Sequence, residues 1–295
     1  MREFFITTDS NSDLPQEYIE KFNTVIIPQY YSFDNVVYGD ELHMPPAEFY
    51  DRMKDGALPQ SQANNPAVIE EKFRQVLEQG ADIIHIAFSS ALSSSYNNVC
   101  MVANELKEQS PEAKITVIDT LMVSLGESIM VIRANELKEK GASYEEIVEE
   151  MEAMKSHINA QFTVDDLFHL QRGGRVSKTS AMVGTVLSLK PSMFVNAAGA
   201  LTAAGTVRGR KKSLQGMIDR MKASLGDAPD YTLPVGIVHA NCMEDARALA
   251  EKVKEETGFK TVIINDISPS IGTHTGPGAM GLLYYGAERS EGTQM

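Results

Sequence analysis

The chain has 295 residues, enough for two domains, and its 43% hydrophobic and 23% charged residues are typical of a folded globular protein. The formal net charge of −13 argues against general nucleic-acid binding. With no membrane-spanning apolar stretch, no signal-peptide core and only two distant cysteines, the sequence predicts a cytoplasmic protein without stable membrane insertion.

The first half of the chain alternates short apolar strands with helices. Asn65-Pro66 predicts a helix start, because Asn is a favoured N-cap and Pro fits the first helical position. The alternation over residues 1–160 predicts a doubly wound α/β domain with a parallel sheet. Strands are expected at residues 4–8, 25–33, 82–88 and 115–118.

The second half, residues 161–295, is expected to form a second α/β domain. The glycine pair in Gln171-Arg172-Gly173-Gly174-Arg175 predicts a tight turn, after which Ser177 is expected to cap a helix that runs to about residue 189. Apolar strands are expected at residues 234–238 and 261–264, on either side of a helix at 243–256.

Basic residues concentrate between Leu167 and Ile218, a segment that contains no Asp or Glu. An island of this kind in an acidic protein indicates that an anionic partner docks there. The alternative is a lysine-rich helix start together with a few surface arginines. The basic residues are Arg172, Arg175, Lys178, Lys190, Arg208, Arg210, Lys211 and Lys212.

Five serines lie within residues 89–95, where the predicted strand 82–88 gives way to a helix. Ligands bind beyond the carboxyl ends of strands in open α/β sheets, and helix N-termini favour anions. Helix capping needs only one hydroxyl, so we expect at least one of these serines to face a ligand. Ser93 as a nucleophile is disfavoured, because the run Ala91-Leu92-Ser93-Ser94-Ser95 lacks both glycines of G-x-S-x-G.

A histidine near the end of the chain, His274, stands among threonines and glycines in the run 271–278. This composition predicts a sharply turning loop in which the imidazole donates a hydrogen bond to a carboxylate. The alternative is a structural histidine.

Nucleotide and metal sites are not indicated. Residues 276–281 match G-x-G-x-x-G, but too few residues follow to supply the acidic partner about 20 positions later. No phosphate loop and no metal-ligand spacing is present, so we expect neither a cofactor nor a metal. Asp9 and Asp119, at the ends of strands, are expected to be solvated turn or cap residues rather than an acid–base pair.

Together these stretches resemble the DegV family of bacterial fatty-acid-binding proteins, which includes the FakB-like carriers. The similarity covers almost the whole chain and depends on the order and number of its motifs. They are Thr8-Asp9-Ser10, Asp13-Leu14-Pro15, Ser61-Gln62, Ser89-Ser90-x-Leu92-Ser93 with Tyr96, Val117-Ile118-Asp119, Leu170-x-Arg172-Gly173-Gly174-Arg175, Lys190-Pro191 and Gly272-Thr273-His274-x-Gly276-Pro277-Gly278.

The resemblance implies a lipid-binding carrier rather than an enzyme. A long-chain fatty acid would lie in an apolar tunnel with its head group between the domains, and a separate ATP-dependent fatty acid kinase would phosphorylate the carboxylate for phospholipid synthesis. The residues that the resemblance assigns to the carboxylate or phosphate are Ser93, Ser94, Ser61, Gln60, Thr273, His274 and Arg172. Those assigned to partner docking are Arg175, Arg208 and Arg210.

Two residues depart from the family pattern. Gln60 stands where a threonine is expected, and Ser94 replaces a glycine. These departures leave two further hypotheses open, a sensor of another small carboxylate or phosphate and a serine hydrolase that acts on a small or lipid ester through Ser93.

Overall fold

The computed structural model describes residues 2–165, 167–177, 189–227 and 229–289. The strands in chain order are β1 (Phe4–Asp9), β2 (Val25–Ile27), β3 (Tyr30–Phe33), β4 (Val36–Tyr38), β5 (Gln60–Gln62), β6 (Asp82–Ala87), β7 (Ile115–Asp119), β8 (Ile158–Thr163), β9 (Leu189–Val195), β10 (Leu201–Arg208), β11 (Val235–His239), β12 (Val262–Asp266) and β13 (Met280–Tyr285). The helices are α1 (Gln16–Phe22), α2 (Pro46–Lys54), α3 (Pro66–Leu77), α4 (Ser95–Gln109), α5 (Leu125–Glu139), α6 (Tyr144–Met154), α7 (Phe168–Arg172), α8 (Arg210–Ser224), α9 (Met243–Thr257) and α10 (Pro269–Thr275).

The first sheet is parallel and has the strand order β2-β1-β6-β7. Every residue of β6 is buried, including Asp82 and His85, in agreement with its largely apolar sequence. The predicted helix start is confirmed, because the Asn65 side chain accepts a hydrogen bond from the backbone N–H of Ala67. The expected parallel α/β architecture of the first half is therefore confirmed.

The segment expected to be one strand at residues 25–33 is two strands in two sheets. β2 belongs to the first sheet, whereas β3 is the centre of a three-stranded antiparallel sheet ordered β4-β3-β5. Pro28 lies at the break between them. Proline has no N–H to donate to a ladder, which explains why the strand does not continue.

The second sheet has six strands in the order β10-β9-β8-β13-β11-β12. Only the pair β11–β12 is parallel, and the other four pairs are antiparallel. The predicted strands near 234–238 and 261–264 are confirmed as β11 and β12, but β9 and β10 were not predicted. The expected boundary between residues 160 and 161 falls inside β8. The helix expected from Ser177 to about residue 189, together with Lys178, lies outside the described residues.

Helix α5 packs between the first and second sheets. Residues on almost all of its faces are buried, from Leu125 to Asn135. Its close approach to β11 requires a glycine there, because a Cβ on Gly236 would lie only 2.6 Å from the Leu125 Cβ. In the part of the chain that the structure describes, no helix is both long and apolar enough to cross a membrane.

The two halves of the chain are also joined by one buried arginine. Arg289 is 4% exposed. Its Nη1 donates hydrogen bonds to the carbonyls of Leu121 (2.7 Å) and Asn196 (3.0 Å), and its Nη2 donates to the Lys155 carbonyl (2.9 Å). One guanidinium therefore links three backbone segments that are distant in sequence.

We expect Arg289→Met to lower the free energy of unfolding by about 2–4 kcal/mol, because it leaves three buried carbonyls without their charged donor. Urea denaturation followed by circular dichroism measures this change. The exposed Arg247 provides the control, since Arg247→Met should alter stability by no more than about 0.5 kcal/mol. Equal effects of the two substitutions would show that Arg289 is not a structural link.

Candidate functional site

A cavity of about 310 Å³ lies between the first and second sheets, within the range of about 300–1,000 Å³ that is usual for small-molecule sites. Both halves of the chain line it, through the segments that follow β6 and β7 and through strands of the second sheet. The large apolar side chains in its wall are Phe88, Leu92, Val123, Phe162, Leu170, Leu201, Val238, Ile267, Ile271, Met280 and Leu283.

One polar part of the cavity wall is the pair Ser61 and His274. The Ser61 Oγ lies 2.7 Å from the His274 Nε2 and forms a hydrogen bond with it. His274 was expected in a loop, but it occupies the last turn of α10, a helix that begins at Pro269 and ends at Thr275. Gly276 caps it with a φ of 72°. Proline at the first helical position and a glycine just past the end are helix signals that explain this difference.

The His274 imidazole is neutral at pH 7. Burial, together with the smaller effect of the nearby positive charges of Arg175 and Arg172, lowers its pKa to about 4. Its Nδ1 is buried and has no hydrogen-bond partner among the described residues. The neutral ring can therefore donate or accept a hydrogen bond, but it is a weak base.

The glycine turn after α7 packs directly against this histidine. A Cβ on Gly173 would lie 2.0 Å from the His274 Nδ1, so only glycine fits there. The Gly173-Gly174 turn and the His274 segment, which are separate motifs in the sequence, thus form one site.

The serine cluster lies where α4 begins, and both Ser93 and Ser94 line the cavity. The Ser94 side chain makes no capping hydrogen bond. The Ser93 Oγ lies 2.9 Å from the Ser95 Oγ and accepts a hydrogen bond from the Ser95 backbone N–H. The helix N-terminus, with its partial positive charge, therefore faces the cavity together with these hydroxyls.

Three of the residues expected to hold the ligand do not line the cavity. Gln60 is exposed. The Thr273 hydroxyl donates to the Pro269 carbonyl within α10. The Arg172 Nη2 donates to the carbonyls of Pro59 (2.9 Å) and Thr273 (3.1 Å). Arg172 therefore holds the segment before β5 against α10. It positions the cavity wall through these backbone contacts.

The three arginines expected at a docking surface have different environments. Arg175 lines the cavity, where its Nε donates to the Leu92 carbonyl at 3.0 Å. Arg210 forms an ion pair with Asp245 at 2.8 Å. Arg208 is exposed at the end of β10. A positive charge thus stands in the wall of the cavity, but it belongs to Arg175, which was expected at the docking surface, and not to Arg172, which was expected at the ligand.

Buried carboxyl groups lie beside the site. Asp9 was expected to be a solvated turn or cap residue. It is a cap, because its side chain accepts a hydrogen bond from the backbone N–H of Asn11 at the start of the 3₁₀ turn Ser10–Ser12. It is not solvated, since it is 2% exposed and also accepts from the Phe88 N–H. Burial raises its pKa to about 6. Asp119 is a turn cap, as expected, because its Oδ1 accepts from the N–H groups of Ser90 and Leu121.

Asp13 joins the two halves of the chain at this point. Its carboxylate accepts hydrogen bonds from the Ser124 hydroxyl in the first half and from the backbone N–H of Ser268 (3.0 Å) in the second. Burial raises its pKa to about 7. Burial also raises the pKa of the neighbouring Glu127 well above its usual value, and the charge of Asp9 raises it further.

Comparisons with known proteins agree with this architecture. A family model described as "Uncharacterised protein, DegV family" matches residues 3–287. A DegV domain-containing protein of Clostridium perfringens is 36% identical over 288 residues, which cover 97% of this chain and 98% of that protein. A fatty-acid-binding DegV family protein of Thermus thermophilus is 30% identical, with a TM-score of 0.86 over 97% of this chain and 100% of that one. DegV of Bacillus subtilis, described as a fatty acid binding protein, is 26% identical, with a TM-score of 0.82 over 97% and 100%.

The raised pKa of Asp13 predicts how stability depends on pH. Because this pKa is about 7 in the folded state and 3.8 for an ordinary Asp, the folded state holds the proton more tightly. The stability that Asp13 contributes is therefore lost as the pH rises from about 4 to about 7.

In Asp13→Asn this part of the pH dependence should disappear. Between pH 4 and pH 7 the free energy of unfolding of the variant should therefore rise by about 2–4 kcal/mol relative to that of the wild type. Urea titrations at several pH values measure the difference. The exposed Asp55→Asn variant serves as the control and should follow the wild-type profile. Parallel profiles for Asp13→Asn and the wild type would contradict the assignment.

Proposed function

This chain belongs to the DegV family, and on that premise we propose that it binds a long-chain fatty acid in the cavity between its two larger sheets. The protein performs no chemistry on the ligand itself. It presents the carboxylate to a separate ATP-dependent fatty acid kinase, whose acyl-phosphate product enters phospholipid synthesis. The setting proposed for this exchange is the cytoplasm.

The observation that carries the proposal is the division of one cavity into apolar and polar walls. Phe162, Leu201 and Leu283 belong to the apolar wall, and Ser61, Ser93 and His274 belong to the polar wall. Each buried methylene of an acyl chain contributes about 0.8 kcal/mol, so the tail supplies most of the affinity. The Thermus thermophilus and Bacillus subtilis relatives described as fatty acid binding proteins support the same assignment.

The polar wall suits a carboxylate. The Ser93 hydroxyl and the neutral His274 ring can each donate one hydrogen bond, and the Arg175 guanidinium supplies a positive charge close by. The family pattern has a threonine hydroxyl at position 60. The Gln60 amide does not take its place at the ligand, because Gln60 is exposed. Ser61 is the hydroxyl from this strand that lines the cavity.

The geometry favours binding over ester hydrolysis. A serine nucleophile needs a hydrogen-bonded base. The described hydrogen bonds of the Ser93 Oγ go to Ser95, whereas His274 is bonded to Ser61. A histidine with a pKa of about 4 is also a poor general base at neutral pH.

The kinase docks, on this proposal, beside the exposed basic residues that begin at the end of β10. Arg208, Lys211 and Lys212 are exposed there. Arg210 and Arg175 are engaged by Asp245 and by the Leu92 carbonyl. Arg172 is likewise bonded to backbone carbonyls, and Lys190 pairs with Asp165. Among the described residues, the basic surface that remains of the island therefore consists of Arg208, Lys211 and Lys212.

Fatty acid binding is tested on protein purified from bacteria. We expect mass spectrometry of a solvent extract to show a bound long-chain fatty acid, and calorimetry of the delipidated protein to show that it rebinds. Affinity should fall about fourfold for each methylene removed, because each contributes about 0.8 kcal/mol. Acetate or a small phosphate that binds as tightly as palmitate would overturn the proposal in favour of a small-anion sensor.

Kinase docking is tested with Arg208→Ala loaded with palmitate. We expect the KM of the kinase for the loaded protein to rise about three- to tenfold, because the substitution removes an exposed charge from the contact. Palmitate affinity should be unchanged, since Arg208 does not line the cavity. Arg247→Ala, an exposed arginine on α9, is the matched control. If the two variants give equal KM values, the docking surface lies elsewhere.

A further inference from the structure

A glutamine side chain in the cavity wall has a donor that the protein leaves unused. Gln29 lines the cavity and is 3% exposed. Its Oε1 accepts a hydrogen bond from the Ser95 Oγ at 2.8 Å. Its Nε2 is buried without a hydrogen-bond partner in the described part of the chain. A buried N–H group that lacks a partner destabilises a protein, so its presence beside a cavity points to a ligand.

The hydrogen bonds around Gln29 also determine where the Ser93 proton points. An amide oxygen only accepts, so Ser95 must give its single hydroxyl proton to the Gln29 Oε1. The Ser95 Oγ, 2.9 Å from the Ser93 Oγ, then has no proton left for Ser93. The Ser93 proton therefore points to Ser95, and a ligand that accepts it must replace this hydrogen bond.

The position of Asp9 supports this orientation of the amide. The Gln29 amide lies close enough to the Asp9 carboxyl to lower its pKa, opposing the larger effect of burial, although the two groups do not meet the geometry of a formed hydrogen bond. With the amide reversed, its oxygen would face the Asp9 carboxyl and any carboxylate in the cavity, and no N–H group would lie there. The orientation with Nε2 towards Asp9 and the cavity avoids that repulsion.

We propose that Gln29 is part of the head-group site and that its Nε2 donates a hydrogen bond to the carboxylate of the bound fatty acid. This inference rests on the proposed function and adds a specificity to it. A carboxylate accepts this hydrogen bond with a negative charge shared by two oxygens, whereas an alcohol of the same chain length carries no charge and offers a single oxygen. Gln29 therefore selects fatty acids over fatty alcohols.

The experiment compares two ligands on the delipidated full-length protein, palmitic acid and 1-hexadecanol. Gln29→Met keeps the length of the side chain and removes the amide. We expect the affinity for palmitic acid to fall at least tenfold and the affinity for hexadecanol to change less than threefold. A purely structural role for Gln29 would weaken both ligands equally. Gln75→Met, the same change on the exposed surface of α3, should leave both affinities as in the wild type.

A second measurement reports on the carboxylate directly. Carbon NMR of bound palmitate labelled at its carboxyl carbon gives the pKa of the head group. Because a donor to the charged form lowers a carboxyl pKa, the bound palmitate should titrate at higher pH in Gln29→Met than in the wild type. Gln29→Asn shortens the side chain by one methylene and so withdraws the amide. It should give the same loss of palmitic acid affinity relative to hexadecanol and the same rise in head-group pKa. This variant replaces Gln29→Met if Gln29→Met does not fold.

The outcomes separate the two proposals. If the wild-type protein binds neither ligand, the proposed function fails. If the wild type binds palmitic acid, but both Gln29 variants keep its ratio of acid to alcohol affinity and its head-group pKa, the inference about Gln29 is overturned while the proposed function stands.

Discussion

The structure depends on the burial of one helix between two sheets. Helix α5 is covered by the first sheet on one side and by β11 and β13 on the other, and Gly236 allows the backbones to come close. Because α5 holds the sheets apart, the space beyond its N-terminal end is not filled by packing. Val123 and Ser124, which precede the helix, line the cavity there. The cavity is thus a consequence of how the two halves are spaced.

Sequence reasoning recovered the parts of the fold in which local signals and burial agree. The apolar run of β6 and the Asn65 cap gave correct elements because each depends on a few neighbouring residues. β9 and β10 were missed, because in a mixed sheet their pairing depends on strands far away in sequence. The break at Pro28 was also missed, although proline itself was the available signal.

The site was also predictable in part, because its motifs are local signals. Ser93, Ser61 and His274 were singled out from motifs, and the structure brings them to one cavity. Whether a motif residue faces the cavity depends on tertiary packing, and Gln60 and Thr273 lie outside it. Gln60 is exposed, and the Thr273 hydroxyl is bonded within α10. Gln29 was overlooked because it sits in an apolar run. The available signal was that a polar residue, Gln29, interrupts this apolar run.

The position of β13 has a consequence for how the protein is made. This strand, one of the last described elements, lies in the middle of the second sheet between β8 and β11. On the ribosome β8 emerges more than 100 residues earlier, and at about 5–20 residues per second its open edge waits on the order of 5–20 s for its partner. An unpaired strand edge is prone to aggregation. The newly synthesised chain therefore passes through a period in which this edge is open to pairing with other chains.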